Sequence, residues 1–303
     1  MFCIMRFIVF GAGALGSLFG GLLSRHHDVL LVGRKEHLSA VAKRGLTIEG
    51  ITSGVFRPDT EWDGSSYDMV LLTTKAYDTE RAAREILATF GKMPVLSLQN
   101  GIGNEEVLAD VFGREQVMGG VTSHGATFVE NGRIYHAGTG ETLIGMLDGR
   151  TPDMLKKTAD AFNRCGIPTA ITSHIQREIW KKTMVNAAIN GLTSILRCRN
   201  GFLLENEHAS HLLERVCSEC SAIARAAHMD IGEDITEKTR EVARNTAENI
   251  SSMLQDILKG KKTEVDEIHG AFAAVARVHG ISAPINEFLA HAIRAMENVR
   301  HLG

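Results

Sequence analysis

Cysteine is scarce in this chain: Cys3, Cys165, Cys198, Cys217 and Cys220 are the five among 303 residues. Scattered and odd in number, they offer no disulfide framework, and a reducing cytoplasm is the expected location. Excess charge is also lacking. With 33 Lys and Arg against 36 Asp and Glu, the formal net charge is -3, so neither nucleic acid nor an acidic membrane is expected as a partner. No apolar run is long enough to span a bilayer. Met1 to Leu23 comes nearest, but Arg6 interrupts it, five glycines punctuate it, and no small-residue cleavage site follows. A buried strand feeding a tight turn explains those residues better. Internal repeats and low-complexity segments are absent too. The remainder, 44% hydrophobic and 23% charged, suits a soluble globular protein with two domains.

The first half alternates β-rich runs with helical stretches, which implies a mostly parallel, doubly wound sheet. FIVFGAG and DVLLVGR read as the first two strands, with a helix from Ala14 to Arg25 between them. LTIEG and VFRPDTEW suggest a small extra hairpin, and Asn131-Gly132 marks another hairpin turn. DMVLLTTKA and MPVLSLQNGIG are apolar strands that end in polar residues. Near Ile171 the texture changes to long amphipathic segments. Helices are expected at 174–190, 207–227, 235–258, 264–279 and 285–302. The predicted fold is therefore an α/β, Rossmann-type domain over residues 1–172, followed by an all-α domain over 173–303.

Gly11-Ala12-Gly13-Ala14-Leu15-Gly16 lies between a strand and a helix, the context in which G-x-G-x-x-G binds a dinucleotide. The first glycine permits the turn, the second lets a pyrophosphate approach, and the third allows helix and strand to pack closely. An NAD site usually has an acidic residue at the end of the second strand. Here that strand ends Val32-Gly33-Arg34-Lys35, which favours NADP(H), with Arg34 neutralising a 2′-phosphate. The alternative is that Arg34 stacks on adenine.

Lys182, Asn186 and Asn190 recur every four residues and would share one helical face. Trp180, Met184, Val185, Ile189 and Leu192 supply apolar flanks. Two asparagines in such a helix are costly unless their amides find partners, and an oxygen-bearing substrate would supply them. A solvated helix edge with Lys182 snorkelling fits the spacing equally well.

GAGALGS, LLTTKAYDT, LSLQNGIGNEE, WKKTMVNAAINGLTSI and SSMLQDILKGKKTEVDEIHG occur in that order, and with them the chain resembles the ketopantoate reductase (2-dehydropantoate 2-reductase) family over nearly its whole length. The resemblance implies NADPH-dependent reduction of ketopantoate to pantoate, on the route to pantothenate and coenzyme A. It also implies roles: Lys182 as general acid, Asn186 and Asn190 as substrate ligands, and Asn100 at the junction of cofactor and substrate. By the same match Ser252 contacts the substrate carboxylate, Glu264 lies near the cofactor ribose and the lysine, and Lys75 lines the cofactor site. Lys181 competes with Lys182, but only Lys182 keeps both four-residue steps.

No metal is expected, because the lysine supplies the electrophile. Cys217-Ser218-Glu219-Cys220 has C-x-x-C spacing, but no second Cys or His pair accompanies it. A reductase of another 2-oxo acid and a non-catalytic NADP(H)-binding regulator are the competing readings. The lysine and asparagine set speaks against the regulator. Exposed apolar stripes on the helical domain would suit a homodimer.

Overall fold

The computed structural model describes residues 4–299. Cys3 and the expected last helical turn, to Leu302, lie outside the described residues. Two compact units form. One contains the residues up to Gln99 together with Asn104–Gln176; the other contains Asn100–Gly103 together with the residues from Arg177 onward.

The first unit contains, in chain order, β1 (Arg6–Phe10), α1 (Ala14–Leu23), β2 (Asp28–Val32), α2 (Lys35–Arg44), β3 (Leu46–Gly50), β4 (Gly54–Phe56), β5 (Met69–Leu72) and α3 (Thr79–Phe90). It continues with β6 (Val95–Ser97), α4 (Asn104–Phe112), β7 (Val117–Thr122), β8 (Gly125–Glu130), β9 (Arg133–Gly138), β10 (Thr142–Met146), α5 (Asp153–Arg164) and β11 (Thr169–Ile171). The main sheet runs β11-β10-β7-β6-β5-β1-β2. All its pairings are parallel except that of β7 with β10. Phe7, Ile8, Val9 and the whole of β5 are buried, so these central strands are apolar on both faces, as a covered parallel sheet requires.

The expected hairpin forms from β3 and β4, but only Val55 and Phe56 of its expected second segment are strand, preceded in β4 by Gly54. It belongs to a second sheet, ordered β4-β3-β9-β8, whose β8–β9 hairpin turns at Asn131-Gly132. Leu46, Ile48, Ile134 and Phe56 point inward and join the core of α1 and the main sheet. A buried imidazole adds to this core: His37 Nε2 shares a 3.0 Å hydrogen bond with Ser17 Oγ, and His37 Nδ1 accepts one from Gly132 N at 3.0 Å.

The second unit is helical: α6 (Ile175–Leu196), α7 (Phe202–Glu205), α8 (Glu207–Ala226), α9 (Ile235–Asn245), α10 (Ser252–Leu258), α11 (Ala271–Val278) and α12 (Pro284–Asn298). The first two residues of α6 count with the first unit. Helix α6 runs six residues beyond the expected Asn190 and stops where Arg197 turns left-handed, at φ 51°. The helix expected over 235–258 is two helices. Ser251 caps α10 by accepting from Leu254 N, while Ala247 O and Asn249 O are engaged by Gly201 N and Asn200 N. These bonds hold the intervening chain out of the helix, although its apolar spacing continues the period. Over 264–279 the helix opens with a π-helical turn, Asp266–Gly270, before α11. No helix among the described residues is long and apolar enough to cross a membrane.

Candidate active site

In the main sheet β1 lies between β2 and β5, so the strand order reverses at the carboxyl end of β1, where open α/β sheets receive their ligands. Gly11 sits there with φ 111°. A Cβ on it would lie 2.5 Å from Thr74 N, so the turn presses directly on the end of β5. Gly16 is equally confined, since its Cβ would fall 2.3 Å from Gly11 O, and Thr73 Oγ1 donates to that same oxygen at 2.9 Å. Gly13 differs: its Cβ would meet nothing nearer than Gly11 O at 3.9 Å, and the space in front of it is open. Gly13 is also the N-cap of α1, which has no side-chain cap and no acidic residue in its first turn. Gly11, Ala12, Gly13, Ala14, Leu15 and Gly16 therefore make a cradle of unobstructed backbone at a positive helix end. That shape and charge fit a pyrophosphate.

The end of β2 carries no carboxylate. Arg34 and Lys35 are exposed at the start of α2, and the Arg34 guanidinium lies 5.0 Å above the Phe128 ring. At the end of β5, half-buried Lys75 precedes a short 3₁₀ turn. Its carbonyl and that of Thr74 accept hydrogen bonds from Gln99 Nε2, at 3.4 and 3.1 Å. Gln99 Oε1 in turn accepts from Thr79 Oγ1 at 3.2 Å and from Ser97 Oγ at 3.3 Å. Next to this network Glu105 is buried in the first turn of α4, and burial pushes its pKa up to about 7 against opposing hydrogen bonds from its own backbone and Ser97. Gln99 and Glu105 escaped the sequence reading. The signal available was polar Ser97 and Gln99 at the end of an otherwise apolar strand.

In the helical unit, Lys182, Asn186 and Asn190 lie along α6. Their flanks pack as expected: Trp180, Met184, Val185, Ile189 and Leu192 are all buried in one core, with Trp180 edge-on to Phe272 at 5.8 Å. The two adjacent lysines have opposite fates. Lys181 is held by Glu178 at 3.2 Å and Glu233 at 2.8 Å. Lys182 makes no ion pair within 4.0 Å and no hydrogen bond among the described residues. Burial lowers its pKa to about 8, and the charge of Glu264 works in the other direction. Glu264 is 5% exposed, and its Oε2 accepts a 3.1 Å hydrogen bond from Asn100 Nδ2. Neither the half-buried Asn186 nor Asn190, 6% exposed, has a side-chain hydrogen bond among the described residues.

Asn100 reaches Glu264 because its loop docks on the π-helical turn, where Ile102 N donates to Glu267 O at 3.1 Å. Gly101 makes this approach feasible, with φ 98° and a hypothetical Cβ only 2.5 Å from Glu267 O. Ser252 is the exposed first residue of α10. Its neighbour Ser251 is buried and accepts a 2.8 Å hydrogen bond from Thr193 Oγ1, which fastens the start of α10 to α6 one turn beyond Asn190. Thus Lys182, Glu264 and Asn100 are brought together, and Ser252 is tethered near the Asn190 end of the stripe. Arg34 and Lys75 belong to the other unit, with the glycine turn. Cys217 and Cys220 lie in the helical core near Thr239 and Asn286, their thiol pKa values raised by burial.

A glycine cradle that fits a dinucleotide and, in the same chain, a half-buried lysine with no ion pair among the described residues point to an oxidoreductase. Residues 7–149 match the model of the ketopantoate reductase PanE/ApbA family, and residues 174–297 match that of its C-terminal region. The chain is 40% identical to the 2-dehydropantoate 2-reductase of Halobacterium salinarum, over 96% of its own length and 98% of that protein's. A PanE/ApbA family ketopantoate reductase from Ralstonia eutropha has the same fold, with a TM-score of 0.90 at 29% identity, covering 97% of this chain and 99% of that one. D-mandelate dehydrogenase, solved with NADH and anilino(oxo)acetate, is similarly close, with a TM-score of 0.90 at 26% identity over 97% and 98% of the two chains. The chain belongs to the ketopantoate reductase family.

Proposed function

We propose that this protein is the NADPH-dependent 2-dehydropantoate 2-reductase of pantothenate and coenzyme A biosynthesis, a cytoplasmic enzyme reducing ketopantoate to pantoate. The observation that carries the reading is Lys182: half-buried, without an ion pair among the described residues and within the influence of the Glu264 charge, on the helix face that also carries two amides without side-chain hydrogen bonds.

When bound, the reduced nicotinamide supplies a hydride to the 2-oxo carbon. Lys182, protonated below about pH 8, hydrogen-bonds the carbonyl oxygen, stabilises the negative charge that develops there and then gives up a proton to it. An alkoxide is far more basic than an amine, so that transfer is downhill. Glu264 favours the charged form of Lys182, and Asn100 fixes the carboxylate that does so. Asn186 and Asn190 donate to the substrate's remaining oxygens, and Ser252 donates to its carboxylate. Gly11 to Gly16 would hold the pyrophosphate and Arg34 the 2′-phosphate, with Lys75 and Asn100 as the further cofactor-binding residues that the family match implies.

A second reading, the same chemistry on another 2-oxo acid, is favoured by the likeness to D-mandelate dehydrogenase. The test is NADPH and NADH oxidation, followed by absorbance, with ketopantoate, pyruvate, 2-oxoisovalerate and phenylglyoxylate. Turnover of ketopantoate well above the others is the expected result. Turnover of a different acid keeps the mechanism and replaces the substrate. NADPH binding without turnover of any acid would make the protein a regulator.

A further inference from the structure

Arg34 is exposed and makes no ion pair within 4.0 Å among the described residues, yet its side chain rests on Phe128, with the guanidinium carbon 5.0 Å from the ring centroid. Phe128 comes from β8, in the small second sheet rather than the dinucleotide-binding one. The ring is half-buried against the core, and it packs on His37 with ring centroids 5.0 Å apart. His37 is itself anchored through both nitrogens, to Ser17 and to Gly132 N. The platform beneath Arg34 is therefore rigid.

We infer that Phe128 is a positioning residue for cofactor selectivity, holding the Arg34 guanidinium ready for the 2′-phosphate that distinguishes NADPH from NADH. Stacking engages the face of the guanidinium and leaves its in-plane N–H donors available to a phosphate. Ordering the side chain beforehand also reduces the rotamer freedom lost on binding. The small sheet thereby acquires a function beyond packing. This inference rests on the NADP(H) reading above and adds a residue that touches no part of the cofactor's reactive end.

The experiment measures dissociation constants for NADPH and NADH by fluorescence titration of the wild type, Phe128→Leu, Phe128→Tyr and Arg34→Ala, with thermal melts as a folding control. Phe128→Leu keeps an apolar side chain in the core and removes the aromatic face. It should weaken NADPH binding about three- to tenfold, the range expected of one lost cation–π contact and its ordering effect, while NADH binding stays unchanged. Phe128→Tyr, which keeps the ring, should bind both cofactors as the wild type does. If Arg34→Ala weakens NADPH and Phe128→Leu does not, the positioning role is overturned and the NADP(H) reading stands. Equal weakening of both cofactors by Phe128→Leu also overturns it, since that is a structural effect. If Arg34→Ala leaves the preference for NADPH intact, the 2′-phosphate reading fails, and the role of Phe128 with it.

Discussion

The two units of the chain carry their candidate functional groups on opposite principles. In the α/β unit, function resides in what side chains would obstruct: Gly11 and Gly16 leave no room for a Cβ, and Gly13 leaves space for a ligand. In the helical unit, function resides in side chains on a rigid support, and their chemistry is set by burial and by which neighbours they lack. The first device is insensitive to pH and intolerant of any added atom. The second tolerates changes of shape but depends on one proton.

The sharpest way to break this contrast is to remove the proposed proton donor. Lys182→Ala should lower kcat by about 10²–10⁴-fold, the usual weight of a general acid, with NADPH affinity nearly unchanged. Its neighbour is the control: Lys181→Met should leave kcat close to wild type and cost at most about 1 kcal/mol of stability, since its ion pairs are partly exposed. Equal losses from both lysines would erase the distinction between them.

Gly11→Ala attacks the other half. The new methyl would clash with the Thr73–Thr74 backbone just beyond β5, at a φ that alanine adopts only with strain, so a stability loss of about 1–3 kcal/mol is expected in thermal melts. NADPH binding by titration should weaken more than tenfold, by about 1.4 kcal/mol or more. Retained binding would mean that the cradle is not where the pyrophosphate lies.

The smallest effect concerns tuning. Activity should decline above about pH 8 as Lys182 loses its proton. The Glu264 charge raises the Lys182 pKa, so Glu264→Gln should move that alkaline limb to lower pH, by about one unit. A limb that stays in place, or moves up, would assign the titration to another group.

This contrast also governed what could be read from the sequence. A glycine turn is local, and six consecutive residues carry its meaning. The stripe of Lys182, Asn186 and Asn190 is nearly as local, because helix geometry alone puts the three on one face. The partners that give the stripe its chemistry are remote. Asn100 and Glu264 are 164 residues apart in sequence, and only the family resemblance singled them out before the fold did. Spacing to the asparagines favoured Lys182 over Lys181, whereas the physical reason, capture of Lys181 by Glu178 and Glu233, exists only in three dimensions. The break between α9 and α10 was hidden because apolar periodicity runs through it, while the bonds that enforce it come from Asn200 and Gly201. The second sheet was half legible: its hairpins have turn signals, but nothing local reveals that β3 pairs with β9.

The four residues Asn100–Gly103 give this protein an unusual indivisibility. The chain passes into the helical unit for one short visit, returns to finish the sheet, and only then commits to α6. A cut at Gln176 would therefore not yield two natural halves. The N-terminal fragment would carry a tetrapeptide stripped of its docking partner, and the C-terminal fragment would keep Glu264 without the amide that orients it. Exchange of the helical unit between relatives would need that tetrapeptide to travel with it.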